Sequence, residues 1–210
     1  MLLYLIRHGE SLFNAEKRIQ GQSDVELSPL GHRQAQALAA ALAGKPIDAI
    51  FSSPLKRAYQ TAEAIAAKLN LPVQTDDRLK EINAGMFQGL LWDEIVHLHP
   101  AEAAHWKAME PDFVIPGGES RRTVGQRGRA AFEKIRETGL HQVVVVSHGG
   151  VMAGALKSLL AVPAELNPFA FYNASISRLA WDKQVKVLSI NQLEHLAQIE
   201  VLSQASAGDL

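Results

Sequence analysis

Four consecutive valines, Val143–Val146, constrain the fold of this chain more than any other stretch. A strand with one face in solvent alternates apolar and polar residues, and no polar residue interrupts this run. Both faces of the strand are therefore expected to be buried, as in the middle of a parallel sheet that helices cover on both sides. Ser147 and then His148-Gly149-Gly150 follow the valines directly, so polar residues stand at the end of a buried strand.

The beginning of the chain has the same arrangement. The apolar run Leu2–Ile6 stops at Arg7, His8 and Gly9. Because neighbouring side chains of a strand point to opposite faces, Arg7 and His8 can serve one site only if the strand ends there and the chain turns. Gly9 permits that turn, since glycine tolerates backbone angles that other residues resist. The pair suggests a nucleophile beside an anion-binding arginine, and a solvated turn that contains both residues by chance is the alternative.

A third junction of this kind follows the strand-like stretch Ala49–Ser52. Ser53-Pro54 predicts an N-cap, and apolar residues from Leu55 to Leu69 then mark one face of a helix. Arg57 falls in the first turn of that helix, where the helix dipole already carries partial positive charge. Either Arg57 extends into solvent together with its neighbour Lys56, or Arg57 and the helix end hold an anion together.

Capping signals and the spacing of apolar residues predict the remaining elements. Ser28-Pro29 is an N-cap followed by a proline at the first helical position, and Gly44 is placed to end that helix. The polar stretch from Ser11 to Leu27 before it is predicted to be a loop long enough to carry function. Further strands are expected at Val73–Thr75, Ser175–Trp181 and Val185–Ile190, with Asp182–Gln184 as the turn of a hairpin, and further helices at Trp92–Leu98, at Ala101–Met109, after Ser120 and after Gly150. The polar tail from Ser203 is expected to fray.

Alternating strands and helices predict an α/β fold. We expect a three-layer α/β/α sandwich with a mostly parallel central sheet, formed by residues 1–210 as one domain. The stretch at about residues 90–116 is the least regular part of the chain, with breaks at Pro100, Pro111 and Pro116. It is the best candidate for a small helical lid insertion over a site.

Composition narrows the classes of function. A net charge of −1 provides no footprint for nucleic acid or an anionic membrane, so any anion must be bound by a few concentrated cations. Cysteine is absent, which excludes a disulfide framework, a thiolate nucleophile and a zinc–thiolate site. The apolar start, Met1–Ile6, is too short for a signal peptide or a membrane span, and a cytoplasmic location is expected.

If the three strands are neighbours, Arg7, His8, Arg57 and His148 converge on one edge of the sheet. The planar fork of an arginine matches phosphate oxygens, and a neutral imidazole is a competent nucleophile toward phosphorus. A dianionic phosphoryl group would suit this cluster. A leaving alkoxide needs a proton, and Glu81, at a segment end next to glycines, is the best candidate acid. Its pKa must be raised if it is to donate a proton at neutral pH.

Four stretches occurring in order resemble the signature of the histidine phosphatase superfamily, which contains cofactor-dependent phosphoglycerate mutases and many phosphatases. They are Leu5-Ile6-Arg7-His8-Gly9-Glu10-Ser11 with Asn14, Ser52-Ser53-Pro54-Leu55-Lys56-Arg57-Ala58 with Thr61-Ala62, Leu79-Lys80-Glu81-Ile82 with Gly85 and Gly89, and Ser147-His148-Gly149-Gly150. The similarity extends from Leu2 to about Leu193.

The resemblance implies a role for each matching residue. His8 would be the phosphorylated nucleophile and Glu81 the general acid and then the base for water. Arg7, Arg57 and His148 would form the phosphate pocket. Contacts to phosphate or substrate would come from Asn14, Gln20, Gly21 and Gly149. The family uses no metal and no cofactor is expected; the partner would be a small phosphorylated metabolite, and family habit allows a homodimer.

The branch of the family is a separate question. Mutases carry a long insertion after the acid motif, whereas the stretch between Glu81 and Gly117 is short here. The short form resembles broad-specificity and phosphoglycerate-type phosphatases, and three loop stretches resemble glucosyl-3-phosphoglycerate phosphatases. These stretches are Ile19–Ser28, Gly117-Gly118-Glu119-Ser120-Arg121 and Asn173-Ala174-Ser175. A shorter cap would leave a phosphohistidine open to water, so we expect a phosphatase, with a phosphoglycerate mutase as the alternative.

Other interpretations compete with these. Glu10, beside His8, could be the acid in place of Glu81. A dinucleotide fingerprint at Gly149-Gly150 and Gly154 has the wrong spacing. Three histidines of the lid stretch could bind a metal, but we favour exposed surface positions for them: His97, His99 and His105. Four large side chains could line a substrate pocket, but packing in the core of the lid is at least as plausible for them: Met86, Phe87, Trp92 and Trp106. A phosphate-binding module without turnover is the remaining alternative, although binding alone needs neither a nucleophile nor an acid.

Overall fold

The computed structural model describes residues 1–163 and 166–199, so the tail from Ser203 lies outside the described residues. A mixed six-stranded sheet forms the centre, in the strand order β3-β2-β4-β1-β5-β6. The strands are β1 (Leu2–Arg7), β2 (Ala49–Ser52), β3 (Val73–Thr75), β4 (Gln142–Ser147), β5 (Ile176–Trp181) and β6 (Val185–Gln192). The pairs among β1 to β4 are parallel, and β5 and β6 add an antiparallel hairpin next to β1.

The helices cover both faces of this sheet. They are α1 (Leu12–Ala15), α2 (Pro29–Leu42), α3 (Lys56–Leu69), α4 (Trp92–Leu98), α5 (Pro100–Lys107), α6 (Arg121–Glu137) and α7 (Gly149–Leu159). One buried cluster joins α2 and α3 to one face of β1, and a second joins α6 and α7 to the other face. The predicted α/β fold with a mostly parallel sheet is confirmed.

The valine run behaves as its sequence predicts. Val143–Val146 are completely buried because β4 lies between β2 and β1 with helical layers on both sides. Side chains of the run alternate between the two core clusters, with Val144 and Val146 in one and Val143 and Val145 in the other. A central strand that contacts two apolar layers has no place for a polar side chain until it ends.

Several predicted boundaries need correction. The stretch from Ser11 to Leu27 is not a loop throughout, because Ser11 caps the short helix α1 through a capping box with Asn14. Helix α5 begins at Pro100 and ends at Lys107 rather than covering Ala101–Met109. Helix α2 is capped by Ser28 as predicted and ends at Leu42, and Gly44 follows with a φ of +74°.

A third apolar cluster lies beside the sandwich. It joins α4 and α5 to the segment after Glu81 and contains Phe87 and Trp106, against which Met86 and Trp92 pack. The packing interpretation of these four side chains is therefore confirmed. The assignment of this region as a lid, within a single domain, stays a prediction. None of the helices in the described part of the chain is long and apolar enough to cross a membrane.

The turn after β1 is fixed by close contact with α2. A Cβ atom added to Gly31 would lie 1.9 Å from the Glu10 carbonyl oxygen, and one added to Gly9 would lie 2.7 Å from the Gly31 carbonyl oxygen. We expect Gly31→Ala to lower the free energy of unfolding by about 1–3 kcal/mol, because the backbone on both sides must move. Urea unfolding measures the change, with His32→Ala, at the next and exposed position, as the control. Equal stability of the two variants would contradict the close contact.

Candidate active site

The carboxyl ends of β1, β2 and β4 meet at one edge of the sheet, because these strands are neighbours in the order β2-β4-β1. This adjacency is the condition under which the predicted side chains converge. The structure brings the five predicted catalytic residues into one buried cluster, with at most 1% of any of these residues exposed. They are Arg7, His8, Arg57, Glu81 and His148.

The His8 ring is fixed in one tautomer. Its Nδ1 lies 2.7 Å from the carbonyl oxygen of Gly9. A carbonyl oxygen only accepts hydrogen bonds, so Nδ1 carries the proton and Nε2 carries the lone pair. The Nε–H of Arg57 donates to that Nε2 at 3.2 Å. His8 therefore presents a neutral imidazole whose basic nitrogen faces an arginine.

Backbone contacts hold the turn that carries His8. The Gly9 N–H donates to the Thr61 hydroxyl, which in turn donates to the Arg57 carbonyl oxygen. From the other side, the Asn173 side-chain amide donates to the His8 carbonyl oxygen at 3.1 Å. The N–H of Ala174 points at the carbonyl oxygens of the same turn, at 3.0 Å. Helix α3 and the segment before β5 thus fix the nucleophile candidate from two directions.

Arg57 is completely buried and lies in the first turn of α3. Its Nη1 donates to the Ser23 carbonyl oxygen at 2.9 Å and its Nη2 to the Gly21 carbonyl oxygen at 2.7 Å. The interpretation that Arg57 extends into solvent is wrong. Lys56, by contrast, is exposed and pairs with Glu26. The loop before α2 therefore positions the Arg57 guanidinium against His8.

His148 stands at the N-cap position of α7, with its ring centroid 5.0 Å from that of His8. Its Nε2 hydrogen-bonds the Ser53 hydroxyl at 2.8 Å. Ser53 was predicted to cap α3, but that helix begins at Lys56 and has no side-chain cap. The Ser53 hydroxyl contacts His148 and also accepts the Leu55 N–H at 3.3 Å, and Leu55 takes the N-cap position two residues further along the chain.

The Glu81 carboxylate lies at the first turn of α7. Its Oε2 accepts the Gly150 N–H at 2.9 Å, and its Oε1 accepts the N–H groups of Val151 and Ile82 at 3.1 and 2.8 Å. N–H groups at a helix N-terminus stabilise the ionised form, whereas complete burial favours the neutral form. The raised pKa expected from the sequence stays a prediction.

A partly buried ion pair supports the segment that carries Glu81. Arg127 donates to the carbonyl oxygens of Arg78, Lys80 and Glu81, the last at 2.6 Å. Its guanidinium pairs with Glu119 at 2.9 Å, and the Glu119 carboxylate also accepts the Asn83 N–H. Sequence analysis did not find Arg127, because donation to backbone carbonyls leaves no residue pattern.

The Glu119 carboxyl group gives this pair a pH dependence. Burial is the largest single influence and acts to raise the pKa of Glu119. The hydrogen bonds from Arg127 and from the Asn83 N–H, together with the charge of Arg127, outweigh burial and hold the pKa below its usual value of 4.5. A carboxyl group whose pKa is lower in the folded than in the unfolded protein stabilises the fold at pH values above its unfolded pKa. That stabilisation is lost as the pH falls through the folded pKa.

We expect Glu119→Gln to lower the free energy of unfolding by about 1–3 kcal/mol near pH 7, because Arg127 loses its ionised partner. The difference from the parent protein should begin to shrink below about pH 4.5, where Glu119 of the unfolded chain takes up a proton, and it should be lost at lower pH, once the folded carboxyl group is protonated as well. Urea unfolding at both pH values measures this. Glu133→Gln is the control, since Glu133 forms an exposed pair with Arg129. A deficit that does not change with pH would contradict the ionic role of Glu119.

The predicted substrate contacts lie around the same cluster. The Asn14 amide oxygen accepts from the Asn173 amide at 3.2 Å, and the Gln20 amide oxygen accepts from the Ser11 hydroxyl at 2.6 Å. Gly21 adjoins Arg57 through its carbonyl oxygen, as described above. On the opposite side, a Cβ atom added to Gly149 would lie 3.8 Å from the Arg7 Nε. The structure thus brings all four residues to the cluster.

The residues of three competing interpretations, the alternative acid, the metal site and the dinucleotide fingerprint, have other contacts in the structure. The Glu10 carboxylate accepts the Ser28 hydroxyl at 2.6 Å, at the beginning of α2. Within residues 1–163 and 166–199, no group of three or more metal-binding side chains is found, and His105 pairs with Glu110. A Cβ atom added to Gly154 would lie 2.8 Å from the Gly125 Cα, so Gly154 allows α6 and α7 to pack closely.

Comparison with known proteins is consistent with this geometry. The family model of the histidine phosphatase superfamily (branch 1) matches residues 3–192. Phosphoserine phosphatase 1 of Hydrogenobacter thermophilus is 38% identical over 202 residues, covering 95% of this chain and 96% of the relative. A probable phosphoglycerate mutase of Yersinia pestis is 36% identical over 187 residues, covering 86% and 85%. A mycobacterial glucosyl-3-phosphoglycerate phosphatase, solved with VO3, superposes with a TM-score of 0.82 at 34% identity, covering 90% of this chain and 98% of that one.

Proposed function

The chain belongs to the histidine phosphatase superfamily (branch 1) and is a phosphatase, and we propose that it hydrolyses phosphomonoesters through a phosphohistidine on His8. The proposed substrates are phosphoglycerate-type esters or other small phosphorylated metabolites. The observation that carries the proposal is the fixed neutral tautomer of His8, whose Nε2 faces the Arg57 guanidinium inside the buried cluster.

In the proposed first step, the lone pair of His8 Nε2 attacks phosphorus and a P–N bond forms. The P–O bond to the leaving group breaks, and the leaving oxygen takes a proton from the Glu81 carboxyl group. Glu81 is proposed for this role because its carboxyl group hydrogen-bonds the first turn of α7, directly after His148. The dephosphorylated alcohol then departs.

The cations of the cluster supply the electrostatic part of the reaction. Arg7 and Arg57 would neutralise the phosphoryl dianion and the charge that spreads over its equatorial oxygens during transfer. His148, in its charged form, would add a further donor, and its ring centroid lies 5.0 Å from that of His8. Because these groups are buried, their interaction with a phosphoryl group is stronger than it would be in water.

In the second step, a water molecule attacks the phosphohistidine from the side that the alcohol has left. Glu81, now a carboxylate, takes a proton from that water, the P–N bond breaks, and inorganic phosphate and neutral His8 result. The two steps together add one water molecule across the ester bond. All charge stabilisation comes from side chains of this chain, so the proposed mechanism requires no metal ion.

The second candidate function is that of a mutase, in which the phosphohistidine transfers its phosphoryl group back to a hydroxyl group of the substrate instead of to water. It is considered because the Yersinia pestis relative is named a probable phosphoglycerate mutase. Incubation of the purified protein with 3-phosphoglycerate in the presence of a chelator separates the two. Free phosphate as the dominant product supports hydrolysis, whereas dominant 2-phosphoglycerate, especially with added bisphosphoglycerate, supports the mutase. Failure to release phosphate from any monoester would overturn the proposed enzyme.

A further inference from the structure

Two cavities adjoin α7 and share Gly154 and Lys157 as lining residues. The first, of about 150 Å³, begins at Arg7 and Gly149 in the catalytic cluster. The second, of about 160 Å³, extends to Arg121 and Arg122 at the beginning of α6. We call the two together the α7 cleft. These adjoining cavities share a wall, and between them they extend from the catalytic cluster to a pair of arginines that the proposed reaction does not use.

The charge of the cleft has one sign. Among residues 1–163 and 166–199, the residues that line its two cavities include Arg7, Arg121, Arg122 and Lys157 and no carboxylate. The whole chain carries a net charge of −1, so these cations are concentrated locally rather than spread over a basic protein. A cleft lined in this way raises the local concentration of anions.

Arg121 is the distinctive member of this group. Its guanidinium carbon lies 3.2 Å from the centroid of the Trp106 ring, which fixes the fork against an aromatic face. Its Nη1 is buried without a hydrogen-bond partner among the described residues. Burial lowers the pKa of Arg121 to about 10, so the side chain stays protonated at neutral pH. Arg122, in contrast, pairs with Asp112.

A buried guanidinium normally has a carboxylate partner, because desolvation of an isolated charge is costly. The stacking of Arg121 on Trp106 offsets only part of that cost. An arginine held against an aromatic ring at a cavity, with no carboxylate partner among residues 1–163 and 166–199, is suited to a ligand that brings the negative charge. The catalytic arginine Arg7 lines the adjoining cavity, on the other side of Gly154 and Lys157.

We propose that the α7 cleft binds a second anionic group of the substrate, a carboxylate or phosphate, at Arg121 and Lys157 while the scissile phosphoryl group lies at His8. This inference rests on the proposed phosphatase function. It names the substrate class: an elongated phosphomonoester with a second negative charge. The distance between the two anionic groups of such a substrate follows from the rise of helix α7. Gly154 and Lys157 lie four and seven residues beyond Gly150, which corresponds to roughly 6 and 10 Å at 1.5 Å per residue.

The test compares two series of alkyl phosphates of equal length, from the ethyl to the decyl compound. One series ends in a carboxylate and the other in a hydroxyl group. The ratio of kcat/KM between the carboxylate and hydroxyl compounds should be near one for the shortest spacers. It should rise roughly tenfold or more at the hexyl to octyl compounds, where the carboxylate reaches Arg121 and Lys157.

Two variants assign the preference to the cleft. Arg121→Met keeps an apolar side chain against Trp106 and removes the charge, and it should return the ratio at the long spacers to near one. Arg129→Met is the matched control, because Arg129 lies on the same helix but is exposed and paired with Glu133. It should leave the ratio unchanged. If Arg121→Met does not fold, two measurements still decide the question. Lys157→Met should lower the ratio at the long spacers, and the length series can be measured with the unmodified protein.

The outcomes separate the subsite from the proposed enzyme. Cleavage of all esters with a ratio near one at every length would overturn the subsite and leave the phosphatase standing. A preference that persists in Arg121→Met and Lys157→Met would also overturn it. If added acetate accelerates the hydroxyl compounds to the rate of the carboxylates, the site takes a free anion and the tethered-substrate proposal fails. If no ester is cleaved, the phosphatase fails and the subsite with it.

Discussion

His8→Ala should lower kcat for phosphomonoester hydrolysis by roughly 10⁴-fold or more, because the variant has no atom that can form the P–N bond. The Nε2 atom of the His8 imidazole accepts a hydrogen bond from Arg57 inside the buried cluster. The measurement is phosphate release under saturating substrate, at enough enzyme to detect a residual rate. The fold should remain cooperative, since Gly9, Thr61 and Asn173 hold the turn largely through backbone groups.

Phosphate binding distinguishes this loss from unfolding. Arg7, Arg57 and His148 are unchanged in His8→Ala, so inorganic phosphate should still raise the unfolding temperature of the variant. His32→Ala, an exposed histidine on α2, is the control and should keep full activity. Full activity of His8→Ala would exclude the phosphohistidine. A parent protein that binds phosphate but releases none from any ester would be the binding module rather than the enzyme.

Glu81→Gln should lower turnover of alkyl phosphates by about 10²–10⁴-fold, because an amide cannot protonate the leaving alkoxide. p-Nitrophenyl phosphate should respond differently, since p-nitrophenolate leaves without a proton. With that ester, phosphorylation of His8 should still occur and the attack of water should be slow. We therefore expect a burst of one p-nitrophenol per active site, followed by a slow phase, in rapid-mixing experiments.

Glu10→Gln is the matched control for this variant. Glu10 is two residues from His8 and was the alternative acid, but its carboxylate contacts Ser28 at α2. The Glu10→Gln variant should show no burst of p-nitrophenol, and its activity relative to the parent protein should be the same for p-nitrophenyl and alkyl phosphates. Glu81→Asp keeps a carboxylate one methylene further back and should retain more activity on alkyl phosphates than Glu81→Gln. Equal losses of Glu81→Gln for p-nitrophenyl and alkyl phosphates would argue against Glu81 as the acid.

The sequence predicted the central part of this molecule because burial leaves a visible pattern. Val143–Val146 could only be a central strand, and β4 lies where that argument places it. Arg7 and His8 follow a second apolar run, and parallel neighbouring strands necessarily bring their carboxyl ends together. The convergence of the two histidines was therefore a consequence of strand order rather than of any property of the histidines.

Other parts could not be predicted because hydrogen bonds to the backbone leave no pattern. Arg127 supports Glu81 through carbonyl oxygens, which every residue possesses. Ser53 looked like a helix cap, since the sequence cannot show that its hydroxyl contacts His148 instead. The Arg121 side chain lies in a motif that the family resemblance already covered, but its stacking on Trp106 depends on where α5 packs.

The central claim is that the phosphoryl group passes through His8 before it reaches water. Rapid acid-free quenching of Glu81→Gln during the p-nitrophenyl phosphate burst, followed by peptide mass spectrometry and phosphorus NMR, tests it most directly. The account predicts one phosphoryl group per chain, bound to Nε2 of His8, that forms as fast as p-nitrophenol appears. A burst without protein-bound phosphate, or phosphate on His148 in place of His8, would contradict it.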